Sequence, residues 1–216
     1  MAASTIRPSD GSARRAAVDR RVFAAVEVLL AAGTGYPELS VGTIAEAAGV
    51  ARSTFYVHFA DKTELLVRLA EETTEDIFAA AYEWTDRVPD PADTGAHRLA
   101  LRDTCARIVA DYRRHRHVLD AVQAATGYDG TVASFWFERI EAFARHAADR
   151  MRIAQKLGLI AADVDVDELA HMSAWAIERT VTQSVAHRGP EHDDALVDAL
   201  TRGLWLLTFG DAPSGR

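Results

Sequence analysis

Cysteine and long apolar runs are scarce in this sequence. Cys105 is the only cysteine among 216 residues, so no internal disulfide can form, which fits a reducing cytoplasm. No apolar run approaches the roughly 20 residues of a membrane-spanning helix. The N-terminal stretch MAASTIRPSDGSARR also has no apolar core of the kind found in signal peptides. We therefore expect a cytoplasmic protein that has no membrane partner.

Proline and glycine are also infrequent, with six and 13 residues, whereas alanine is abundant, a composition that favours helices. No stretch alternates like a β-strand, and apolar residues recur with the helical period instead. Residue types suited to helix starts occur at Ser40, at Asp61 with Glu64, and at Asp165 with Glu168. We predict an all-α protein of about nine helices, over about residues 14–32, 41–48, 51–58, 62–87, 97–114, 117–126, 130–157, 166–187 and 192–209.

Charge is divided unevenly along the chain. The formal net charge is −8, which argues against a general nucleic-acid binder. Residues 1–70, however, hold eight basic and seven acidic side chains, so the excess of acid lies in the remainder. The front of the chain is therefore compatible with phosphate, and the acidic rear is not.

The segment AEAAGVARSTFYVHF at 45–59 has many rings for its length. On a helical wheel Phe55 and Phe59 share one face, which we assign to the core. Gly49 supplies the backbone angle of a turn between two short helices. Such a pair is typical of a helix-turn-helix, whose second helix enters the major groove of DNA. The outward side chains can all bond phosphates or base edges: Arg52, Ser53, Thr54, Tyr56 and, at the edge, His58.

Lys62 lies in the first turn of the next predicted helix, where the helix dipole disfavours a cation. That position indicates a partner anion, such as a backbone phosphate, and Tyr56 also fits a phosphate contact. For His58 the sequence leaves two interpretations open. It either contacts the DNA backbone or packs at the end of its helix.

The run LSVGTIAEAAGVARSTFYVHFADKTELL at 39–66 resembles the DNA-binding module of the TetR family of bacterial repressors. The resemblance implies a homodimer, a palindromic operator in double-stranded DNA and a C-terminal domain that responds to a ligand. It implies these roles for single residues: a phosphate contact for Thr43, base contacts for Arg52, Ser53 and Thr54, and backbone contacts for Tyr56, His58 and Lys62.

The stretch VPDPADTGA at 88–96 is the clearest linker in the sequence. Together with the resemblance it divides the chain into four parts. We expect a disordered basic tail at 1–13, the helix-turn-helix domain at 14–60, a connecting helix at 61–87, and a helical ligand-binding and dimerisation domain at 88–216.

The C-terminal part has aromatic residues on three predicted helices: Phe135, Trp136, Phe137, Phe143, Trp175 and Trp205. They either fill a core or border an apolar ligand site. Motifs such as VLDAVQAAT at 118–126 and LWLLTFG at the end of the last helix resemble the ethionamide-resistance repressor branch of the family. That resemblance implies a hydrophobic tunnel lined by Leu101, Thr104, Cys105, Ile108, Tyr112, Trp136, Phe143, Ile177 and Trp205. Because Ile177 replaces an asparagine of the relative, we expect a more apolar ligand here.

The run LWLLTF at 204–209 is apolar on every side of its helix, which indicates contacts on every side. One face can meet its own domain, and the other needs a partner. Met172, Trp175 and Val181 on the preceding helix extend this apolar surface. We therefore predict a homodimer formed by the last two helices of each copy about a two-fold axis.

Other polar clusters fit simpler interpretations. RRHRH at 113–117 suits a solvated helix end, and DVDVD at 163–167 lacks the glycine of a calcium loop. His187 and His192 have no further ligands at metal spacing. No catalytic motif or phosphate-binding loop is apparent, so we expect no enzyme activity, no cofactor and no metal.

The residues and the resemblance together predict a ligand-responsive transcriptional regulator. We expect a repressor that binds palindromic operator DNA as a homodimer and is released by a small hydrophobic effector. Two alternatives stay open, a small helical enzyme acting on a lipid-like substrate and a DNA-binding protein that has no effector.

Overall fold

The computed structural model describes residues 10–87 and 94–210. Within these ranges the chain forms nine α-helices and no strand, as predicted. The helices are α1 Asp10–Ala31, α2 Val41–Ala47, α3 Arg52–His58, α4 Lys62–Thr85, α5 Thr94–Arg114, α6 Arg116–Ala125, α7 Gly130–Lys156, α8 Val166–His187 and α9 Asp193–Phe209. Short 3-10 turns cover Tyr36–Glu38 and Pro190–His192.

The observed helix bounds differ from the predicted ones by a few residues. The largest difference is at α1, which begins at Asp10, so residues 10–13 of the predicted tail are helical. Residues 1–9, and residues 88–93 of the predicted linker, lie outside the described ranges. Residues 94–96 of that linker already belong to α5.

Side chains at the helix starts satisfy backbone amides as predicted. Ser40 accepts from the N–H of Thr43, and Asp61 accepts from the N–H of Glu64 at 2.8 Å. The carboxylate of Glu64 does not bond back to Asp61, because it accepts from the N–H of Ala60 instead. These bonds fix the starts of α2 and α4, the helices on either side of α3.

The first three helices and the start of α4 pack around one apolar centre. Val22 and Val26 of α1, Ile44 of α2 and Phe55 of α3 are completely buried there. Leu65 of α4 is also completely buried. Because α4 contributes to this centre, its first turns belong to the same packed unit as α3.

The remaining helices form a bundle in which α7 packs on α8 and α5 packs on α4 and α9. α4 runs along the bundle and also contacts α6 and α7. The hydroxyl of Thr63, near the start of α4, donates to the carboxylate of Asp129 at 2.6 Å. Asp129 also caps α7 by accepting from the N–H of Thr131. The starts of α4 and α7 are therefore tied together. No helix in the described ranges is long and apolar enough to cross a membrane.

Candidate nucleic-acid interface and ligand cavity

The outer face of α3 carries hydrogen-bonding side chains. Arg52 and Ser53 are exposed, Thr54 is half-buried, and Tyr56 is 48% exposed. The Arg52 guanidinium lies 5.9 Å from the centre of the Tyr56 ring, a cation–π distance that orients both groups. Phe55 and Phe59 point the opposite way and are completely buried, as predicted.

Val57 also faces outward on α3 and is 72% exposed, although the sequence analysis did not single it out. An apolar side chain on this face can contact the methyl group of thymine. The helical wheel could have found it, because Val57 lies about 200° from both Phe55 and Phe59, nearly opposite the buried face. Sequence reasoning missed it because only polar residues were considered.

Thr43 lies on the exposed side of α2, next to the start of that helix. Its hydroxyl is 2.8 Å from the hydroxyl of Ser40, and its N–H donates to the same oxygen. Amides and hydroxyls at a helix start favour anions. The position of Thr43 is thus compatible with the expected phosphate contact.

The structure corrects the outward placement of His58. This residue is buried at the end of α3, and its Nδ1 lies 2.6 Å from the Asp19 carboxylate. The second oxygen of Asp19 accepts from Arg68 at 2.6 Å, and Arg68 also donates to the carbonyl of His58. The sequence left two interpretations of His58 open. The structure agrees with the second, in which His58 packs at the end of its helix.

Asp19 and Arg68 are residues that the sequence analysis missed. They join α1 and α4 to the last residue of α3, and Arg68 also lies over the Phe59 ring. Nothing in the sequence pairs residues so far apart along the chain. Their network orients the recognition helix from the side opposite its exposed face.

The expected phosphate contact of Lys62 stays a prediction, and the structure shows partners for this side chain within the protein. Its Nζ donates to the carbonyls of Tyr36, Pro37 and Leu39, at 3.2, 3.1 and 2.6 Å. An ammonium group has three N–H donors, so these carbonyls occupy all of them. Burial lowers the pKa of Lys62. The oxygens of the 36–39 turn thus replace the anion that the helix dipole led us to expect.

A cavity that offers about 90 Å³ of space to the centres of water-sized molecules lies between α4, α5, α7, α8 and α9. Six of the nine residues proposed for a ligand tunnel line it: Leu101, Thr104, Cys105, Ile108, Phe143 and Ile177. Its wall is mostly apolar, as in many small-molecule sites.

The other three proposed residues, Tyr112, Trp136 and Trp205, do not line this cavity. Tyr112 and Trp136 are buried farther along the bundle, beside the buried carboxylate of Glu178. Trp205 packs against Phe209, with ring centres 4.7 Å apart, so Phe209 forms the wall instead. The resemblance to the ethionamide-resistance repressor branch implied these three positions, but it could not show where the cavity of this chain ends.

Few polar groups line the cavity wall. Those in the interior of the cavity carry no charge. Burial raises the pKa of the Cys105 thiol to about 11, so the thiol stays protonated and unreactive at neutral pH. Burial also lowers the pKa of His97, which stacks on Trp84 at 5.0 Å between ring centres. His97 is therefore a neutral imidazole in the wall. Sequence reasoning missed His97, because one histidine on an apolar face has no distinctive pattern.

Comparison with known proteins agrees with both parts of this description. The family model "Bacterial regulatory proteins, tetR family" matches residues 24–69. The model "Transcriptional regulator EthR, C-terminal domain" matches residues 101–209, half of the chain. The chain belongs to the TetR family. It is a DNA-binding transcriptional regulator that has an EthR-type C-terminal domain.

Relatives of this TetR-family chain include the transcriptional regulator EthR of Mycobacterium tuberculosis, 26% identical over 80% of this chain and 78% of EthR. The repressor LfrR of Mycolicibacterium smegmatis is 35% identical over 43% of this chain and 47% of LfrR. Among solved structures, FadR of Bacillus subtilis in complex with stearoyl-CoA has a TM-score of 0.69 at 19% identity, covering 89% of this chain and 99% of FadR. That similarity shows the shared fold.

The last two helices of this TetR-family chain leave apolar side chains exposed on one side. Leu206 and Leu207 of α9 are 37% and 50% exposed, and Met172 of α8 is also exposed. Trp175 is half-buried and contacts the exposed Phe137. Val181, which we expected on this surface, is completely buried in its own bundle. We call the exposed set Met172, Leu206 and Leu207 the apolar face of α8 and α9.

Proposed function

We propose that this regulator is a homodimeric repressor in the cytoplasm that binds palindromic operator DNA and releases it when a small lipophilic effector occupies the cavity. The observation that carries the proposal is the course of α4. Its first turns pack in the centre that holds the recognition helix α3. Its last turns contribute Ala81, Trp84 and Thr85 to the cavity wall. One helix therefore adjoins both sites.

Five residues form the proposed DNA-contacting surface: Thr43, Arg52, Ser53, Thr54 and Tyr56. The exposure of Arg52, Ser53 and Tyr56 supports base or phosphate contacts from α3. We omit His58 and Lys62 from this set because both bond within the protein. The proposed domain division stays at 14–60, 61–87 and 88–216, with the first turns of α4 packed on the helix-turn-helix domain.

Dimerisation is proposed to occur through the apolar face of α8 and α9. Small residues Ala195, Ala199 and Gly203 follow one another along the accessible side of α9 at helical spacing. Such residues allow a second helix to approach closely. A two-fold interface would thus combine close backbone contact with burial of Leu206 and Leu207.

In this proposal the dimer releases operator DNA because the effector binds its two states with different affinities. A ligand shifts the dimer only by the difference in its affinity for the DNA-competent and the released state. If the released dimer has differently spaced recognition helices, effector binding lowers operator affinity. Catalysis is not part of the proposal, since the family consists of regulators and the cavity thiol is protonated.

The test is operator binding with and without ligands that raise the melting temperature of the chain. We expect each stabilising ligand to weaken operator binding. Ala147→Phe, which fills the cavity, should bind operator but lose the response, and Ala142→Phe on the exposed side of α7 is the matched control. A ligand that binds in the cavity and leaves operator affinity unchanged would refute the coupling.

A further inference from the structure

The cavity has charged side chains only where it meets solvent. Arg87 and Arg150 line it and are partly exposed, as is Ile153 beside them. In contrast Leu101 and Cys105 are almost completely buried. These exposures place the mouth at the end of α4 and the last turns of α7, and the apolar interior along α5.

The described lining of the cavity includes two arginines and no carboxylate. Two acidic residues that are not part of this lining, Glu83 and Asp86, bond to the arginines. Glu83 holds Arg87 at 2.6 Å, and the Asp86 carboxylate holds Arg150 Nε at 3.2 Å. A guanidinium has five N–H donors, so both arginines keep donors for another acceptor. A ligand at the mouth therefore meets guanidinium N–H donors that the two carboxylates do not use.

We propose that the effector is an amphiphile with one anionic head, of the carboxylate class, whose apolar tail fills the cavity while Arg150 and Arg87 bind the head. This inference rests on the proposed function and specifies the chemistry of its effector. Arginine suits the role because its planar donors match a carboxylate in a bidentate geometry. The neutral interior excludes a charge at the other end of the molecule.

The extent of the cavity wall along α5 sets the size of the tail. The wall includes residues from His97 to Ile108, which are eleven helical steps or about 16 Å apart at 1.5 Å per residue. An unbranched chain of medium length spans that distance. Each buried methylene should raise affinity about fourfold until the interior is filled.

The Asp86 carboxylate would compete with the proposed anionic head for Arg150. Asp86 ends α4, and it accepts from two residues of α7, His146 at 2.9 Å and Arg150 at 3.2 Å. Arg150 also donates to the backbone carbonyl of Asp86 at 2.9 Å. A ligand carboxylate on Arg150 would replace the Asp86 side chain and loosen the link between the ends of α4 and α7.

Calorimetric titration of the full chain with decanoate, decan-1-ol and decylammonium tests the proposal at constant ionic strength. The three ligands share one tail and differ in head charge. We expect decanoate to bind about tenfold more tightly than decan-1-ol, because a charge-assisted hydrogen bond contributes roughly that factor. Decylammonium should bind most weakly.

Three variants make the test specific. Arg150→Gln should remove most of the preference for decanoate and leave decan-1-ol binding unchanged. Asp86→Asn should strengthen decanoate binding several-fold, because it removes the competing carboxylate. Arg145→Gln, an exposed arginine on the same helix outside the cavity, should change neither ligand.

The outcomes test the anionic head separately from the lipophilic effector. Equal binding of decanoate and decan-1-ol by the unmodified chain, or a preference that survives Arg150→Gln, overturns the anionic head and leaves the lipophilic effector intact. If none of the three ligands binds, the lipophilic effector is contradicted as well. Decanoate that binds as expected but leaves operator affinity unchanged supports the head and refutes the proposed release.

Discussion

Lys62 is bound by three carbonyl oxygens of the 36–39 turn, and the Tyr36 hydroxyl donates back to the Lys62 carbonyl at 2.5 Å. Lys62→Met should therefore lower the free energy of unfolding by about 1.5–3 kcal/mol, the contribution of hydrogen bonds to a charged group. Chemical denaturation measures this change. Operator binding should also weaken, because the turn precedes α2, but its dependence on salt should stay the same.

The matched control for this prediction is Lys156→Met, which removes the other lysine of the chain from an exposed position at the end of α7. It should leave stability unchanged. A stable Lys62→Met variant whose salt slope falls by about 0.9 would assign Lys62 to a phosphate after all, since that is the slope lost per phosphate contact.

Arg52 and Tyr56 are neighbours on the exposed face of α3 with different expected roles. Arg52→Ala should relax sequence preference at one position of each half-site, by about 1–3 kcal/mol. Tyr56→Phe keeps the ring beside Arg52 and removes one hydroxyl donor, so it should weaken binding to every duplex by about 0.5–1.5 kcal/mol. Titration against single-base variants of the operator distinguishes the two effects. The same loss on all duplexes from both variants would disprove the division of roles.

The pattern of burial in residues 52–56 could be predicted from the sequence, because helical periodicity separates Phe55 from its polar neighbours. The hydrogen-bond partners of His58 and Lys62 could not be predicted in this way. Each depends on groups far along the chain, Asp19 in one case and the carbonyls after Tyr36 in the other. No local pattern encodes such contacts. The helix-dipole argument indicated that Lys62 has a negatively polarised partner, but it could not identify the carbonyl oxygens of the 36–39 turn as that partner.

At the scale of elements, α9 is the clearest case of a helix with two apolar sides. Trp205 and Leu196 face the bundle and are buried, whereas Leu206 and Leu207 face outward. Leu206→Glu should therefore produce a folded monomer, because the charge falls on the proposed two-fold interface and not in the core. Light scattering after size-exclusion chromatography measures the mass.

Val28→Glu serves as the comparison for Leu206→Glu, since Val28 is an exposed apolar residue on α1, away from α8 and α9. That variant should remain dimeric. Loss of the dimer should also lower operator affinity, because two half-sites are then no longer bound together. A Leu206→Glu chain that keeps the dimer mass would exclude this face as the interface.

Helix positions could be predicted more accurately than helix faces. Ser40, Asp61 and Asp165 fix helix starts through bonds to residues two or three positions away, which a sequence displays directly. Which side of an apolar helix meets its own domain depends on the packing of all its neighbours. For that reason the last helix was placed correctly, while Val181 was assigned to the surface and Trp205 to the cavity.

For the whole molecule, the connection between sites depends on α4 and α7. α4 has 24 residues and spans about 36 Å. Its start is joined to α7 by the Thr63–Asp129 bond and its end by Asp86 with Arg150. The two helices thus reach from the recognition unit to the cavity mouth. We propose that a ligand that changes their contact at one end alters the orientation of α3 at the other.

The most direct measurement of the central claim is selection of bound sequences from a random pool of duplex DNA by the full chain. The account predicts enrichment of two inverted half-sites, centred about 34–36 Å or a multiple of that distance apart, as two copies of α3 in successive major grooves require. The Arg52→Ala chain should select the same spacing with a relaxed half-site. Recovery of a single, unpaired half-site, or of no common sequence, would contradict a dimeric operator-binding repressor.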